Sequence, residues 1–142
     1  MPRRSAPRHR PRELLELQAR LFDLGADLAT PRGGAPDPSY LTRIDAGHVT
    51  ALEGLIDRFE ERLPALSYFI LPGGTATSAH LHQARAVVRR AERRTVALAR
   101  SENLGPAVPL FLNRLSDLLF VLARWANHEA GVADVPWRPR GA

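Results

Sequence analysis

At 142 residues and 44% hydrophobic, the chain has material for one domain with its own core, and no apolar run in it approaches the ~20 residues that span a bilayer. The absence of cysteine excludes disulfides, thiolate metal sites and a cysteine nucleophile, and a cytoplasmic protein is the simplest reading. A formal charge of +5 would ordinarily raise nucleic acid as a partner, but Arg3, Arg4, Arg8, Arg10 and Arg12 all precede the first acidic residue, Glu13, so the remainder is close to neutral.

Residues 1–12 carry Pro2, Pro7 and Pro11 and lack the apolar core of a secretory signal, so they read as a disordered basic arm. A nucleic-acid-binding reading would rest on the charge of that arm alone. From Glu13 to Ala29, Leu14, Leu17, Leu21, Leu24 and Leu28 recur at three- and four-residue steps, the stripe of an amphipathic helix. Thr30-Pro31 stops it, and residues 31–39 (PRGGAPDPS) form a loop crossing between antiparallel helices.

Asp45 is the expected N-cap of a second helix with the stripe Val49, Leu52, Ile56, Phe59 and Leu63, which Pro64 kinks or ends. Pro72-Gly73-Gly74 is a turn, and Thr75, Thr77 or Ser78 caps a third helix running to about Arg100. Its expected buried face is Leu81, Ala84, Val88 and Ala91. After Gly105-Pro106 a fourth helix carries Leu112, Leu115, Leu119, Leu122 and Ala126. No convincing strand is present, so residues 13–130 read as an all-α, antiparallel helix bundle of four helices, with residues 131–142 as a C-terminal tail.

Arg85, Arg89 and Arg93 fall at i, i+4 and i+8 and form one cationic stripe on the third helix. Glu92, a turn from Arg89, can hold a guanidinium or a Mg²⁺ bound to phosphate. Guanidinium groups held in this way bind phosphate oxygens bidentately and stabilise charge on a leaving group. On spacing alone, the stripe reads sooner as a solvated face tied by intrahelical salt bridges. Asn113 and Asp117 share a face of the fourth helix with Phe120 and Arg124. They can serve a nucleotide site and pair with an arginine across the bundle, or form a buried polar pair that sets register. Phe69, before the turn, either presents its ring into a pocket or packs in the core. The Gly-Gly turn lacks the spacing and lysine of a P-loop, and His80 and His82 diverge on a helix, which argues against a shared metal site.

Four segments, LFDLGADLATP (Leu21 to Pro31), FILPGG (Phe69 to Gly74), ARAVVRRAER (Ala84 to Arg93) and LNRLSDLLF (Leu112 to Phe120), occur in one order. In that order they resemble the PduO-type ATP:cob(I)alamin (corrinoid) adenosyltransferases, and the likeness extends from about Leu14 to Pro139. The resemblance implies a five-helix bundle assembled as a homotrimer, with active sites between subunits. It also implies transfer of the 5′-deoxyadenosyl group of ATP to Co(I) of cobalamin or a precursor corrinoid, with Mg²⁺ and release of triphosphate. By the same resemblance Arg89, Arg90, Glu92, Arg93 and Asn113 contact ATP, and Arg85 stands near the reacting centre. Phe69 crowds the lower face of the corrin, Phe120 lines that pocket and Asp117 supports it. Arg85 and Arg89 are then the catalytic pair, no metal site is built from the protein alone, and a corrinoid reductase or an adenosylcobalamin-dependent enzyme is a partner.

The family's threonine- and glycine-rich phosphate loop (TRTGDxGxT) and its first helix with a VDELN-like motif have no counterpart here. Two accounts stand open: the natural start lies upstream, or the chain is an N-terminally truncated, non-catalytic corrinoid-binding or trimer-forming relative. Four helices without the first are expected to expose the apolar surface that it covers.

Overall fold

The computed structural model describes residues 12–141, which form four helices: α1 (Arg12–Ala29), α2 (Ala46–Glu60), α3 (Ala76–Leu98) and α4 (Ala107–Glu129). Apart from Arg12, the basic arm expected over residues 1–12 lies outside the described residues. Arg12 itself opens α1, its Nε 2.9 Å from Glu16 Oε1 one turn on. The architecture is all-α as expected: among the described residues no strand forms, and one isolated antiparallel bridge joins Ile70 to Pro136.

The chain divides into two compact units, residues 1–44 and 45–142. In the first, α1 buries Leu17, Leu24 and Asp27. The helix ends where Thr30 Oγ1 donates back to the Ala26 carbonyl at 2.8 Å, just before Pro31. The loop then returns to Asp27. The Asp27 carboxylate accepts from Arg43 Nη1 at 2.7 Å and from the Ile44 amide at 2.9 Å. Arg43 also donates to Asp37 at 2.6 and 2.9 Å and to the Thr30 carbonyl at 2.9 Å. One guanidinium thus gathers the end of α1 and both arms of the loop, and its hydrogen bond holds the Asp37 carboxyl below the usual carboxylate range.

In the second unit α4 packs along both α3 and α2. The most buried helix is α4, whose wide apolar face meets both neighbours: Val108, Phe111, Leu112, Leu115 and Leu118 are each 1% exposed. On α2 the predicted stripe holds, with Val49, Leu52 and Phe59 buried and Ile56 half-buried. The Phe59 ring meets Trp125 edge-on at 5.2 Å. Asp45 caps α2 as expected, and the cap is reciprocal: Asp45 Oδ1 accepts from the His48 amide while the Asp45 amide donates to His48 Nδ1. The helix stops at Glu60, four residues ahead of Pro64.

The inward face of α3 differs from the expected one. Ser78, His82, Val88 and Thr95 are buried, whereas Leu81, Ala84 and Ala91 are only half-buried. The seam runs obliquely along the helix, and its N-terminal half turns Ser78 and His82 inward; the capping turn supplies a hydrogen-bond partner for Ser78 but not for His82. The outer face of α3 exposes Val87, Val96 and Leu98, and α4 exposes Leu110 near its start.

Candidate functional site

The site is built outward from the turn before α3. Thr75 caps the helix, its side chain accepting from the Ser78 amide at 3.1 Å. The turn itself is held by a residue 52 positions away. Asn127, near the end of α4 and 4% exposed, accepts with Oδ1 from the Thr75 amide and hydroxyl at 2.9 and 3.0 Å and donates with Nδ2 to the Gly73 carbonyl at 2.9 Å. Ser78 Oγ donates to the same carbonyl at 2.9 Å. Gly74 sits at φ 101°, and a Cβ there would lie 2.5 Å from both Asn127 amide atoms, so only glycine fits. The Gly-Gly turn is therefore a tight packing element against α4.

About two turns into α3, three side chains of unlike chemistry converge. The Arg85 guanidinium lies 5.2 Å from the centroid of the Phe120 ring, and His82 meets that ring edge-on at 6.1 Å. Arg85 Nε and His82 Nδ1 are both buried without a hydrogen-bond partner. Burial, and then the charge of Arg89, push the Arg85 pKa down from its ordinary value. Burial also lowers His82, reinforced by Arg85 and opposed by Asp134. Sequence reasoning placed Arg85 and Phe120 in the site on separate helices. Their cation–π contact, and the part of His82 in it, are additions of the structure.

Arg89, Arg90 and Arg93 are exposed. Among the described residues no hydrogen bond or ion pair joins any of the three to a carboxylate, so the stripe is not tied down by intrahelical salt bridges. Glu92 is held by Asn113, whose Nδ2 donates to Glu92 Oε1 at 3.1 Å across α3 and α4. Asn113 Oδ1 in turn accepts from Arg114 at 2.7 Å. Asn113 keeps one N–H and one lone pair for a ligand.

Asp117 does not reach across the bundle as expected. It is exposed and its partner is Arg114 on the same helix, 3.4 Å away. The cause is rotation: four residues advance a helix by about 40° beyond a full turn, which carries Asp117 from the half-buried edge that Asn113 occupies out into solvent. Arg124, grouped with these residues by spacing, is buried. It donates to Asp134 at 3.0 Å and to the Pro64 carbonyl at 2.8 Å, a structural clasp between the loop after α2 and the tail.

Phe69 is 78% exposed, which excludes core packing. Its ring meets Trp137 edge-on at 6.3 Å, while Phe120 faces Arg85 and His82. Beside the turn, Leu71 to Gly74, Asn127 and Val132 to Val135 enclose an open concavity of about 240 Å³, below the 300–1,000 Å³ usual for a ligand pocket. The residues that the sequence reading missed, Asn127, Asp134 and Trp137, act through long-range contacts. The one local signal among them was an aromatic residue in a proline-rich tail.

The family model for cobalamin adenosyltransferase matches residues 3–126. The corrinoid adenosyltransferase of Mycobacterium tuberculosis is 48% identical over 130 residues, covering 90% of this chain and 65% of that protein. The bovine corrinoid adenosyltransferase MMAB is 45% identical over 120 residues, covering 84% of this chain and 50% of its own length. Among solved structures, a phenylalanine-to-alanine variant of the PduO-type ATP:corrinoid adenosyltransferase from Lactobacillus reuteri, complexed with cobalamin and ATP, superimposes with a TM-score of 0.79 at 43% identity, covering 89% of this chain and 69% of that one. An arginine-to-lysine variant of the same enzyme, complexed with ATP, gives 0.77. The chain thus spans about two thirds of the bacterial relatives and half of the bovine one. On the family match and on identities well above 40% across most of its length, the chain belongs to the cobalamin adenosyltransferase family.

Proposed function

We propose that this chain serves an ATP:corrinoid adenosyltransferase, which moves the 5′-deoxyadenosyl group of ATP to Co(I) of cobalamin or a precursor corrinoid. The Co(I) electron pair forms the cobalt–carbon bond at C5′, the C5′–O bond breaks, and its electrons leave with triphosphate. The observation that carries the reading is the arginine face of α3, with one guanidinium held against Phe120 and three more unpaired in solvent. The nucleophile belongs to the substrate, so no serine, cysteine or histidine has to attack. The protein's work is to align the reactants and offset the charge that leaves.

In this reading Arg89, Arg90 and Arg93 bind the triphosphate, and Arg85, oriented by its ring contact, faces the reacting centre. Asn113 and Glu92 form one hydrogen-bonded unit that touches the nucleotide. Phe69 covers the lower face of the corrin and displaces its axial ligand, and Phe120 lines the same pocket. Asp117 acts indirectly, by fixing Arg114 beside Asn113. Mg²⁺ fits as an ion carried by the phosphates with Glu92 as its nearest carboxylate. Among the described residues no group of three or more histidine or acidic side chains could cage a metal.

The shallow concavity beside the turn argues that further surface completes the site, which suits a homotrimer with sites between subunits. No described helix is long and apolar enough to cross a membrane, and a cytoplasmic enzyme drawing on a corrinoid reductase is consistent with the chemistry. The relatives compared above are named as transferases, which favours the catalytic reading over the non-catalytic one.

The test is adenosylcobalamin formation from ATP and chemically reduced cobalamin under anaerobic conditions, with this chain and with one extended upstream in the same reading frame. Product from either form supports the reading. Absence of product from both, with the proteins folded, overturns it.

A further inference from the structure

Phe69 has little to hold it from below. With 78% of its surface exposed, it takes no orientation from the core. The segment that carries it is instead flanked by the C-terminal tail. Gly131, at φ 70°, turns the chain back after α4, and the Val132 amide donates to the Asn127 carbonyl at 2.9 Å. Asp134 then anchors to the buried Arg124 at 3.0 Å. Beyond that anchor the tail pairs antiparallel with residues 69–71. The Leu71 amide donates to the Val135 carbonyl at 2.8 Å, the Trp137 amide donates to the Phe69 carbonyl at 2.7 Å, and Ile70 lies opposite Pro136. The pairing brings the Trp137 ring edge-on to the Phe69 ring, with centroids 6.3 Å apart and planes at 72°.

We propose that Trp137, carried on the strap of residues 134–137, is a positioning residue that sets the orientation of the Phe69 ring toward the corrinoid. The inference rests on the role given to Phe69 above. The two backbone hydrogen bonds fix the height and register of the Phe69 segment, and the ring contact fixes its side chain, which has no other ring neighbour among the described residues. An edge-on aromatic pair restrains orientation more than it adds burial, which is what a ring acting by displacing an axial ligand requires. Arg124 and Asp134 extend the restraint into the buried end of α4, so the strap is fastened at one end to the core and at the other to Phe69.

The test uses the full chain with cob(II)alamin and ATP, reading the cobalt spin signal by electron paramagnetic resonance. Loss of the lower ligand gives a four-coordinate signal distinct from the five-coordinate one. Phe69→Ala, Trp137→Ala and Trp137→Phe are compared with the parent, alongside ATP affinity and melting temperature. The expected result is a five- to four-coordinate ratio raised about two- to tenfold by Trp137→Ala, the range for one aromatic pair. Trp137→Phe should restore it, Phe69→Ala should match or exceed it, and ATP affinity should stay within about twofold. In the ligand-free chain the Leu71 amide should exchange faster in Trp137→Ala.

A parent-like signal in Trp137→Ala, with Phe69→Ala strongly shifted, overturns the strap and leaves the role of Phe69 standing. Equal loss of ATP and corrinoid binding with a lowered melting temperature also overturns it, by reducing Trp137 to general support. No effect of Phe69→Ala, or no binding of cob(II)alamin by any form, overturns the role of Phe69 and the strap with it.

Discussion

Replacing Asn127 by alanine tests whether the turn before α3 is set by α4. The side chain makes three hydrogen bonds to that turn while 4% exposed. Two of its partners keep other bonds: the Gly73 carbonyl still accepts from Ser78, and the Thr75 hydroxyl still accepts from the Ser78 amide. The Thr75 amide is the group left unmatched. A buried donor without a partner costs about 1–3 kcal/mol, and the lost packing adds to it, so about 2–3 kcal/mol is expected. At ~2–4 °C per kcal/mol for a chain of this size, the melting temperature should fall by about 4–12 °C.

Gly74→Ala makes the same point from the other side, because its Cβ would lie 2.5 Å from the Asn127 amide atoms at a φ that alanine resists. Strain at such a φ costs on the order of 1–3 kcal/mol, and the clash comes on top. In the Asn127→Ala background the clash disappears and only the strain remains, so the two substitutions should be non-additive, with the double variant more stable than the sum of the singles predicts. Urea unfolding of the four proteins measures this, given unchanged denaturant slopes. Strict additivity, or a cost below about 0.5 kcal/mol for Asn127→Ala, would refute the argument that these residues interlock.

Arg89→Ala should lower kcat/KM for ATP by about 10–100-fold, the loss of one charge-assisted hydrogen bond, with corrinoid affinity changed less than about twofold; equal losses in both would contradict the assignment. His82 carries a pH signature. Its folded pKa is depressed by burial and by Arg85, against the pull of Asp134, so the unfolded chain takes up the proton first and stability is full above the unfolded value near 6.5. It declines as pH falls from there through the folded pKa, at no more than ~1.4 kcal/mol per pH unit, and His82→Gln should flatten that slope in unfolding measured between pH 7 and 5. Asp134→Ala strands a guanidinium that is 4% exposed, which should cost about 3 kcal/mol; chemical denaturation of Asp134→Ala beside Asp134→Asn separates lost charge from lost hydrogen bonding.

What was legible in the sequence was local. Thr30-Pro31, Asp45 and Thr75 marked helix ends because a cap or a stop acts within three or four residues. The leucine stripe of α4 marked a buried face because burial follows a 3.6-residue period, and that of α1 did so at Leu17 and Leu24, while Leu21 is exposed. The polar contacts that shape the site obey no such period. Asn127 reaches Thr75 across 52 residues, Arg124 reaches Pro64 across 60, and Trp137 meets Phe69 through a single bridge held by two hydrogen bonds, too short to read as a strand. The oblique seam of α3 turned His82 inward, although composition favoured alanine and leucine. The motifs named the candidate residues, and helix geometry then divided them: Asn113 stayed at the interface while Asp117, four residues on, rotated out to Arg114.

The same rotation explains why three arginines at equal spacing stand in unequal surroundings. Each four-residue step advances about 40°, so Arg85, Arg89 and Arg93 sweep from the helix interface into water along α3. Arg85, the innermost, is half-buried and held over the Phe120 ring, and under the proposed function a fixed, partly desolvated charge acts on developing negative charge with little reorganisation. Arg89 and Arg93 are exposed, which under the proposed function suits them to gathering a polyanion whose charge is already present. A stripe that looks uniform in sequence thus becomes a gradient of exposure, and under the proposed function its solvent end is the one suited to capture and its buried end the one suited to orientation. The gradient arises because a helix of 3.6 residues per turn cannot keep every fourth residue on one line.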